Sequence, residues 1–151
     1  MTQRDKKLLL KDLCARLPYG VKVKVVLLHS EEYKYTYVNA KLIYIDLDYT
    51  GVLSDNGFIL QQDISELKPY LFPLSNMTEE QYKSLEESGI LSNCSHSYEY
   101  VNPHIHGVSF IFKGFKTYSL ELIEWLNKNH FDYRGLIEKG LAINATGLNI
   151  Y

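Results

Sequence analysis

A cysteine and three histidines lie close together in the chain, and side chains of both types bind zinc. They are Cys94, His96, His104 and His106. His104 and His106 could share a metal ion, because alternate residues of a strand face the same side. The Cys-x-His and His-x-His spacings are not a common structural zinc pattern, however, and Pro103 indicates a turn. We therefore predict loop histidines that bond to backbone and no bound cofactor, with a metal site as the alternative.

Asp46 and Asp48 follow an apolar run and project to the same side of a strand, where two carboxylates could hold a magnesium ion. The string from Asp46 to Thr50 resembles the first motif of haloacid-dehalogenase-type phosphotransferases. That resemblance implies Asp46 as the nucleophile and Asp48 as the acid/base. The further acidic ligands are missing, since Asp132 is the sole aspartate after Asp63. We predict that both carboxylates face water, and we keep a metal-dependent phosphohydrolase as an alternative function.

Tyrosine is the unusual component of the composition, with 13 residues. Tyr33, Tyr35 and Tyr37 alternate and therefore share one face of a predicted strand. An outward face would form an aromatic surface that suits a protein partner, or that stacks on a nucleotide or on single-stranded nucleic acid. An inward face would cover the core with the hydroxyls in water. We predict a binding surface at these tyrosines and keep the core as the alternative.

Length and charge narrow the classes of protein. The 151 residues are 46% hydrophobic and 23% charged, which are ordinary values for one globular domain. The net charge of −2 makes a long nucleic acid an unfavourable partner. No apolar run is long enough to span a membrane, and we expect that the protein does not bind to a membrane. The sequence has 2 cysteines, which lie far apart, and we see no export signal in it. These features are typical of a reducing compartment, so we predict a cytoplasmic protein. A homo-oligomer is left open.

The elements that position these residues are read from periodicity. Residues 2–17 predict an amphipathic helix that buries Leu9, Leu13 and Cys14. Residues 21–28 alternate as a strand, and Asn56-Gly57 predicts a tight hairpin between later strands. The short strands within residues 21–74 predict a small SH3-like antiparallel β-barrel. The fold class is therefore α+β, with an N-terminal helix and a C-terminal α/β appendage.

We predict a single domain of residues 1–151 with two possible sub-modules, the helix and barrel at 1–76 and the appendage at 77–151. The appendage contains further local signals. Thr78 and Gln81 predict a capping box at the start of a short helix. Residues 98–101 and 107–112 predict a strand pair. Ser119 predicts the cap of a helix that buries Leu122 and Leu126.

Three strings together resemble an uncharacterised family of hypothetical proteins from phages and integrated mobile elements of gut Bacteroidales. They are KDLCARLPYGV at 11–21, LKPYLFPLSNMTEE at 67–80 and FDYRGLIEKGLA at 131–142. The family brings no activity with it. The resemblance implies a bacterial host cell and an accessory role. We therefore expect a non-enzymatic protein that binds a host or viral protein through the tyrosines or the loop at 90–106, with interference in host defence as one version.

Overall fold

A computed structural model describes the backbone of residues 1–29, 34–46, 49–93, 95–99 and 111–151. It describes their side chains except at residues 26–29, 34–38, 93, 111 and 112. The chain forms two compact units. The first unit contains residues 1–71 and 134–151, and the second contains residues 72–133. The first unit is therefore discontinuous in sequence.

Helix α1 (Gln3–Arg16) begins the first unit. Thr2 caps it, because its hydroxyl accepts from the Asp5 N–H while the Asp5 carboxylate accepts from the Thr2 N–H. Leu9 and Leu13 are fully buried, as predicted. Cys14, predicted on the buried face, is exposed. The residues that share the buried face are instead Leu9, Asp12, Leu13 and Arg16, at spacings of three and four.

An antiparallel sheet with one additional parallel strand forms the rest of this unit. Its order is β4-β3-β2-β1-β5, and β9 pairs with the other side of β5. The strands are β1 (Lys22–His29), β2 (Lys34–Ile45), β3 (Thr50–Ser54), β4 (Ile59–Gln62), β5 (Leu67–Pro73) and β9 (Ile143–Asn144). A hairpin with Gly57 at a φ of +82° joins β3 to β4, as the Asn-Gly pair predicts.

The core of the first unit lies on one face of this sheet. Val21 precedes β1, and Val23 and Val25 lie on it; all three are fully buried. They pack with Leu9 and Leu13 of α1. The remaining core residues are Ala40, Leu42, Val52, Ile64, Leu67, Leu71, Leu136, Leu141 and Ala142. The alternation of β1 therefore determines which face of the sheet is dry.

The α+β class and the N-terminal helix are confirmed, and the sheet is open in the part of the chain that the structure describes. The strand order ends at β4, whose described pairing is with β3 alone. Closure into an SH3-like barrel would require a further pairing of this edge. The barrel therefore stays a prediction.

A buried charge cluster joins α1 to the C-terminal segment. The Asp12 carboxylate accepts from Arg16 Nε at 2.8 Å and from Arg134 Nη1 at 2.7 Å. Asp12 and Arg16 are fully buried. Because charges are costly to bury without partners, each of these groups depends on the others.

Tyr151 holds the C-terminus at the point where β1 and β5 diverge. Its hydroxyl accepts from the Lys22 N–H at 3.1 Å and donates to the Tyr70 carbonyl at 2.9 Å. Burial raises the pKa of the Tyr151 hydroxyl to about 12. The hydroxyl therefore stays protonated near neutral pH and keeps both bonds.

The second unit has its own core around α2 (Glu79–Glu87) and α3 (Leu120–Lys128). The predicted capping box at Thr78 and the predicted cap at Ser119 are both confirmed. Part of the predicted strand pair is observed, since β6 (His96–Glu99) pairs with β7 (Ile111–Phe115), and residues 100–110 of that prediction lie outside the described residues. The two-residue strand β8 (Phe131–Asp132) runs parallel to the end of β5, at Phe72 and Pro73. The core residues are Met77, Tyr82, Leu85, Leu91, Phe115, Leu122, Leu126 and Phe131.

The helices within the described ranges do not meet the requirements of a membrane span. None of them is both long enough and apolar enough to cross a bilayer.

The buried cluster predicts an unequal response to the loss of two ion pairs. Asp12→Ala leaves two guanidinium groups without their carboxylate, so we expect the free energy of unfolding to fall by about 3–5 kcal/mol. Lys6→Ala removes the half-exposed pair between Lys6 and Asp63, and we expect a loss below about 1 kcal/mol. Chemical denaturation of the full chain measures both. Equal losses in the two variants would contradict the role of the cluster.

Candidate functional site

Strands β1 and β2 continue past the rest of the sheet as a two-stranded ribbon. They pair with each other from Lys22–Lys41 to His29–Lys34. Strand β5 pairs with β1 only between Val23 and Val25, and β3 pairs with β2 only between Ala40 and Ile45. We name residues 26–29 and 34–38 the β1–β2 arm. Among the described strands, the arm's strands pair only with each other, so each has one edge of backbone donors and acceptors outside the sheet.

The predicted tyrosine surface falls on this arm. Tyr35 lies opposite Leu28 and Tyr37 lies opposite Val26 in the backbone register. Tyr33 and the side chains of Tyr35 and Tyr37 lie outside the described residues. Their outward orientation therefore stays a prediction, while the position of Tyr35 and Tyr37 in the arm is established by the register.

Asp46 lies just beyond β2 and is one of the residues that line a small pocket of about 80 Å³. Its backbone N–H donates to the Tyr49 carbonyl, one residue before β3, at 2.9 Å. The pocket is lined by Lys6, Leu10, Ile45, Asp46, Tyr49, Thr50, Asp63 and Ile64. Sites for drug-sized ligands measure roughly 300–1,000 Å³, so this pocket suits a group of a few atoms. Asp48 lies outside the described residues, so the Asp46–Asp48 pair stays a prediction.

Asp63 also lines the pocket, and its carboxylate accepts several hydrogen bonds. It accepts from the Ser65 hydroxyl at 2.6 Å, from the Ser65 N–H at 2.8 Å and from Lys6 Nζ at 3.1 Å. These bonds, with that from the Ser65 hydroxyl the largest cause, lower the pKa of Asp63 to about 2. The group is ionised near neutral pH, so it can accept hydrogen bonds but has no proton to donate there.

His96 is the one member of the predicted metal cluster that the structure describes. Cys94, His104 and His106 lie outside the described residues. His96 Nε2 and the Tyr82 hydroxyl are 2.8 Å apart and share a hydrogen bond. The His96 and Tyr82 rings also meet edge to face, with their centroids 5.5 Å apart. Within the described ranges, no three His, Cys, Asp or Glu side chains are arranged to hold a metal ion.

A set of lysines that the sequence did not single out lies on the sheet of the first unit. Lys22 is directly opposite Lys41, and Lys24 is directly opposite Lys68. The alternation of Lys22 and Lys24 with valines indicates the solvent side of β1, but only the register brings the lysines of β2 and β5 beside them. We name Lys22, Lys24, Lys41 and Lys68 the lysine face.

A tyrosine lies on the β2–β3 part of the same sheet. Tyr44 pairs with Gly51, and a Cβ atom on Gly51 would overlap the Tyr44 ring. The ring therefore occupies the space that a side chain at Gly51 would fill. Gln61 Nε2 donates to the Tyr44 hydroxyl at 3.1 Å, which fixes the far end of the ring above β4.

Comparison with known proteins gives no assignment. The chain matches no protein-family model, no curated protein and no solved structure.

Asp63 predicts a specific acid dependence of stability. Its pKa is lower in the folded chain, at about 2, than its ordinary value of 3.8. The stabilisation is therefore fully present above pH 3.8 and is lost as the pH falls through about 2. We expect Asp63→Asn to lower the free energy of unfolding near neutral pH and to approach the wild type at about pH 2. Ser65→Ala, which removes the hydroxyl donor, should give a smaller effect of the same sign. Denaturant titrations across this range measure it, and a pH-independent difference would contradict it.

Proposed function

We propose that this chain is a non-enzymatic binding protein that holds a partner protein on the β1–β2 arm. The observation that supports the proposal is the pairing of β1 with β2 beyond Val25 and Ala40, where their described pairings with β5 and β3 end. An extended segment of a partner can add to such an edge through backbone hydrogen bonds. Binding of a partner strand would account for the extension of β1 and β2 beyond their other neighbours in the sheet.

The composition of the arm supports a protein partner. Its residues are Val26-Leu27-Leu28-His29 and Lys34-Tyr35-Thr36-Tyr37-Val38, which are mostly β-branched, aromatic or aliphatic. A two-stranded ribbon is only marginally stable in water, and an added strand gives it a third member. Aromatic side chains are also enriched at protein interfaces. The partner would therefore complete a small sheet and cover the tyrosines.

The edge of β2 is the one we assign to the partner strand. Strand β3 stops pairing with β2 where Ser54 meets Ala40, and the chain then turns into β4. An added strand along residues 34–38 would continue the line of β3. The residues that follow the turn, Phe58 and Ile59, are 69% and 62% exposed. They give a partner apolar contacts beside the added strand.

The sequence resemblance supplies the context of this proposal. The family it indicates belongs to phages and integrated mobile elements, so we propose a bacterial host or viral protein as the partner, in the cytoplasm of the host. Interference with host defence is one form that this binding would take. Closure of the sheet as an SH3-like barrel belongs to the same proposal, because closure would remove the other sheet edge and leave the arm as the open one.

An arm-shortened variant tests the proposal. Val25 and Val38 lie directly opposite each other, so an Asn-Gly turn can replace residues 26–37 and join them. We expect this variant to keep the thermal stability of the wild type and to lose, at least tenfold, its affinity for proteins captured by the wild type from host cells. Each captured protein is purified and its affinity measured directly. The control is Phe58→Ser with Ile59→Ser, which keeps the arm and should weaken binding less.

Two outcomes would count against the arm. A shortened variant that binds every captured protein as tightly as the wild type places the interface elsewhere. A native mass spectrum in which the wild type is an oligomer and the shortened variant a monomer assigns the arm to a second copy of this chain instead of another protein.

A further inference from the structure

The lysine face places like charges opposite each other on a central strand. Lys22 and Lys24 alternate with the buried valines of β1, so they point to the face opposite the core. Their partners Lys41 and Lys68 are both exposed. Side chains directly opposite on an antiparallel pair have Cβ atoms about 4.5–5.5 Å apart, and like charges there destabilise the sheet. Repulsion within the Lys22–Lys41 and Lys24–Lys68 pairs is therefore locally unfavourable for the stability of the sheet.

Protection of a sheet edge does not explain these lysines. Proteins often use lysine on edge strands to prevent pairing with other chains. Strand β1, however, is flanked by β2 and by β5 where Lys24 lies. None of the ion pairs between described residues involves Lys22, Lys41 or Lys68. Departures of this kind from local rules occur at functional sites.

Tyr44 adds an aromatic surface to the same side of the sheet. Leu42 and Val52 pair with each other and are buried in the core. The register then shifts between Leu42 and Tyr44, so Tyr44 pairs with Gly51, and Gly51 with exposed Gln61, on the other side of the sheet. The ring is half-buried, so part of it faces solvent. Because it fills the place of a Gly51 side chain and is held by Gln61, it is fixed against the sheet. A ring held in this way is a platform for stacking.

We propose that this face of the sheet binds single-stranded nucleic acid, with the lysines on the phosphates and a base stacked on Tyr44. Charge complementarity requires an anionic partner. Binding of single strands combines a positively charged track with a fixed aromatic surface, and both are present here. An acidic protein segment would use the lysines but would have no use for the fixed ring. The proposal uses other residues than the arm and does not depend on it.

The overall charge limits the strength of this binding. The net charge of −2 gives no long-range attraction, so the attraction comes from the lysines within about one Debye length, roughly 10 Å at 0.1 M salt. For single strands the logarithm of the association constant falls with the logarithm of salt at a slope of about −0.7 per neutralised phosphate. Four lysines therefore predict a slope of about −3.

Fluorescence anisotropy of the full chain tests the proposal with a labelled short oligouridylate and a labelled short oligothymidylate. Polyglutamate and a duplex of equal length serve as competing probes. The first variant is Lys41→Glu with Lys68→Glu, which converts two like-charge pairs into opposite-charge pairs. Since the conversion removes repulsion, we expect thermal stability to be kept or increased, while affinity falls at least tenfold and the salt slope flattens. The matched control is Lys11→Glu with Lys128→Glu, two exposed positions outside the lysine face, which changes the net charge equally.

Tyr44→Leu separates stacking from charge. Because the loss of one stacked base weakens the binding of single strands without removing a charge, we expect their affinity to fall at least fivefold at an unchanged salt slope. Any loss of fold is detected by circular dichroism. If it occurs, Gln61→Ala, which releases the ring without removing it, is the second variant and should lower the affinity for single strands in the same direction.

The following results would overturn the proposal. No binding of either single strand at low salt excludes nucleic acid at this face. Equal weakening by the control pair reduces the effect to net charge. Tighter binding of polyglutamate than of the single strands assigns the face to an acidic protein segment.

Discussion

The dry face of β1 is the constraint on which the first unit depends. Val21, Val23 and Val25 are fully buried against α1. Their burial fixes which face of the sheet each of the remaining residues of the strand points to. A slip by one residue would bury Lys22 and Lys24 and expose the valines. Because β2 and β5 pair directly with β1, the same constraint passes to them and determines which of their residues face solvent. The lysine face is therefore a consequence of the core.

The charge cluster at Asp12 supplies what the sheet alone lacks, a connection between distant parts of the sequence. Arg134 contributes to the cluster from the segment that returns to the first unit after the second unit is complete. Leu136, Leu141 and Ala142 then complete the core, and Tyr151 joins β1 to β5 through its hydroxyl. A buried ion cluster contributes little net stability compared with apolar packing, but it tolerates few alternative arrangements. It specifies which segment closes the unit.

Local signals in the sequence predicted the secondary-structure elements well, but they predicted poorly which residues pack together in the core. The Asn56-Gly57 hairpin, the capping box at Thr78 and the cap at Ser119 each depend on a few adjacent residues, and all were confirmed. Predictions that require long-range packing were less successful. The apolar character of Cys14 predicts that it lies on the buried face, but it is exposed and α1 buries Asp12 and Arg16 instead. Arg134, which is distant in the sequence, completes the ion pairing of these buried charges.

The candidate surfaces illustrate the same limit. The tyrosine alternation predicted a shared strand face, and the register now places Tyr35 and Tyr37 in the arm; no pattern in the sequence indicates that β1 and β2 continue beyond their other partners. Lys41 and Lys68 are separated from Lys22 by many residues and come together only through pairing. Gly51 is an unremarkable glycine until Tyr44 is found in the space of its missing side chain.

The net charge and the local charge of the lysine face lead to opposite conclusions about the attraction of an anionic ligand. Which of the two applies depends on the distance of the ligand from the protein surface. A ligand far from the surface responds to the total of −2. A ligand in contact with the sheet responds to charges within a Debye length, among them the four lysines of the lysine face. The arm offers backbone edges and the lysine face offers side chains, although β1 and β2 supply both. Since backbone pairing occurs in the plane of a sheet and side chains project from it, one pair of strands can present two surfaces that are occupied independently.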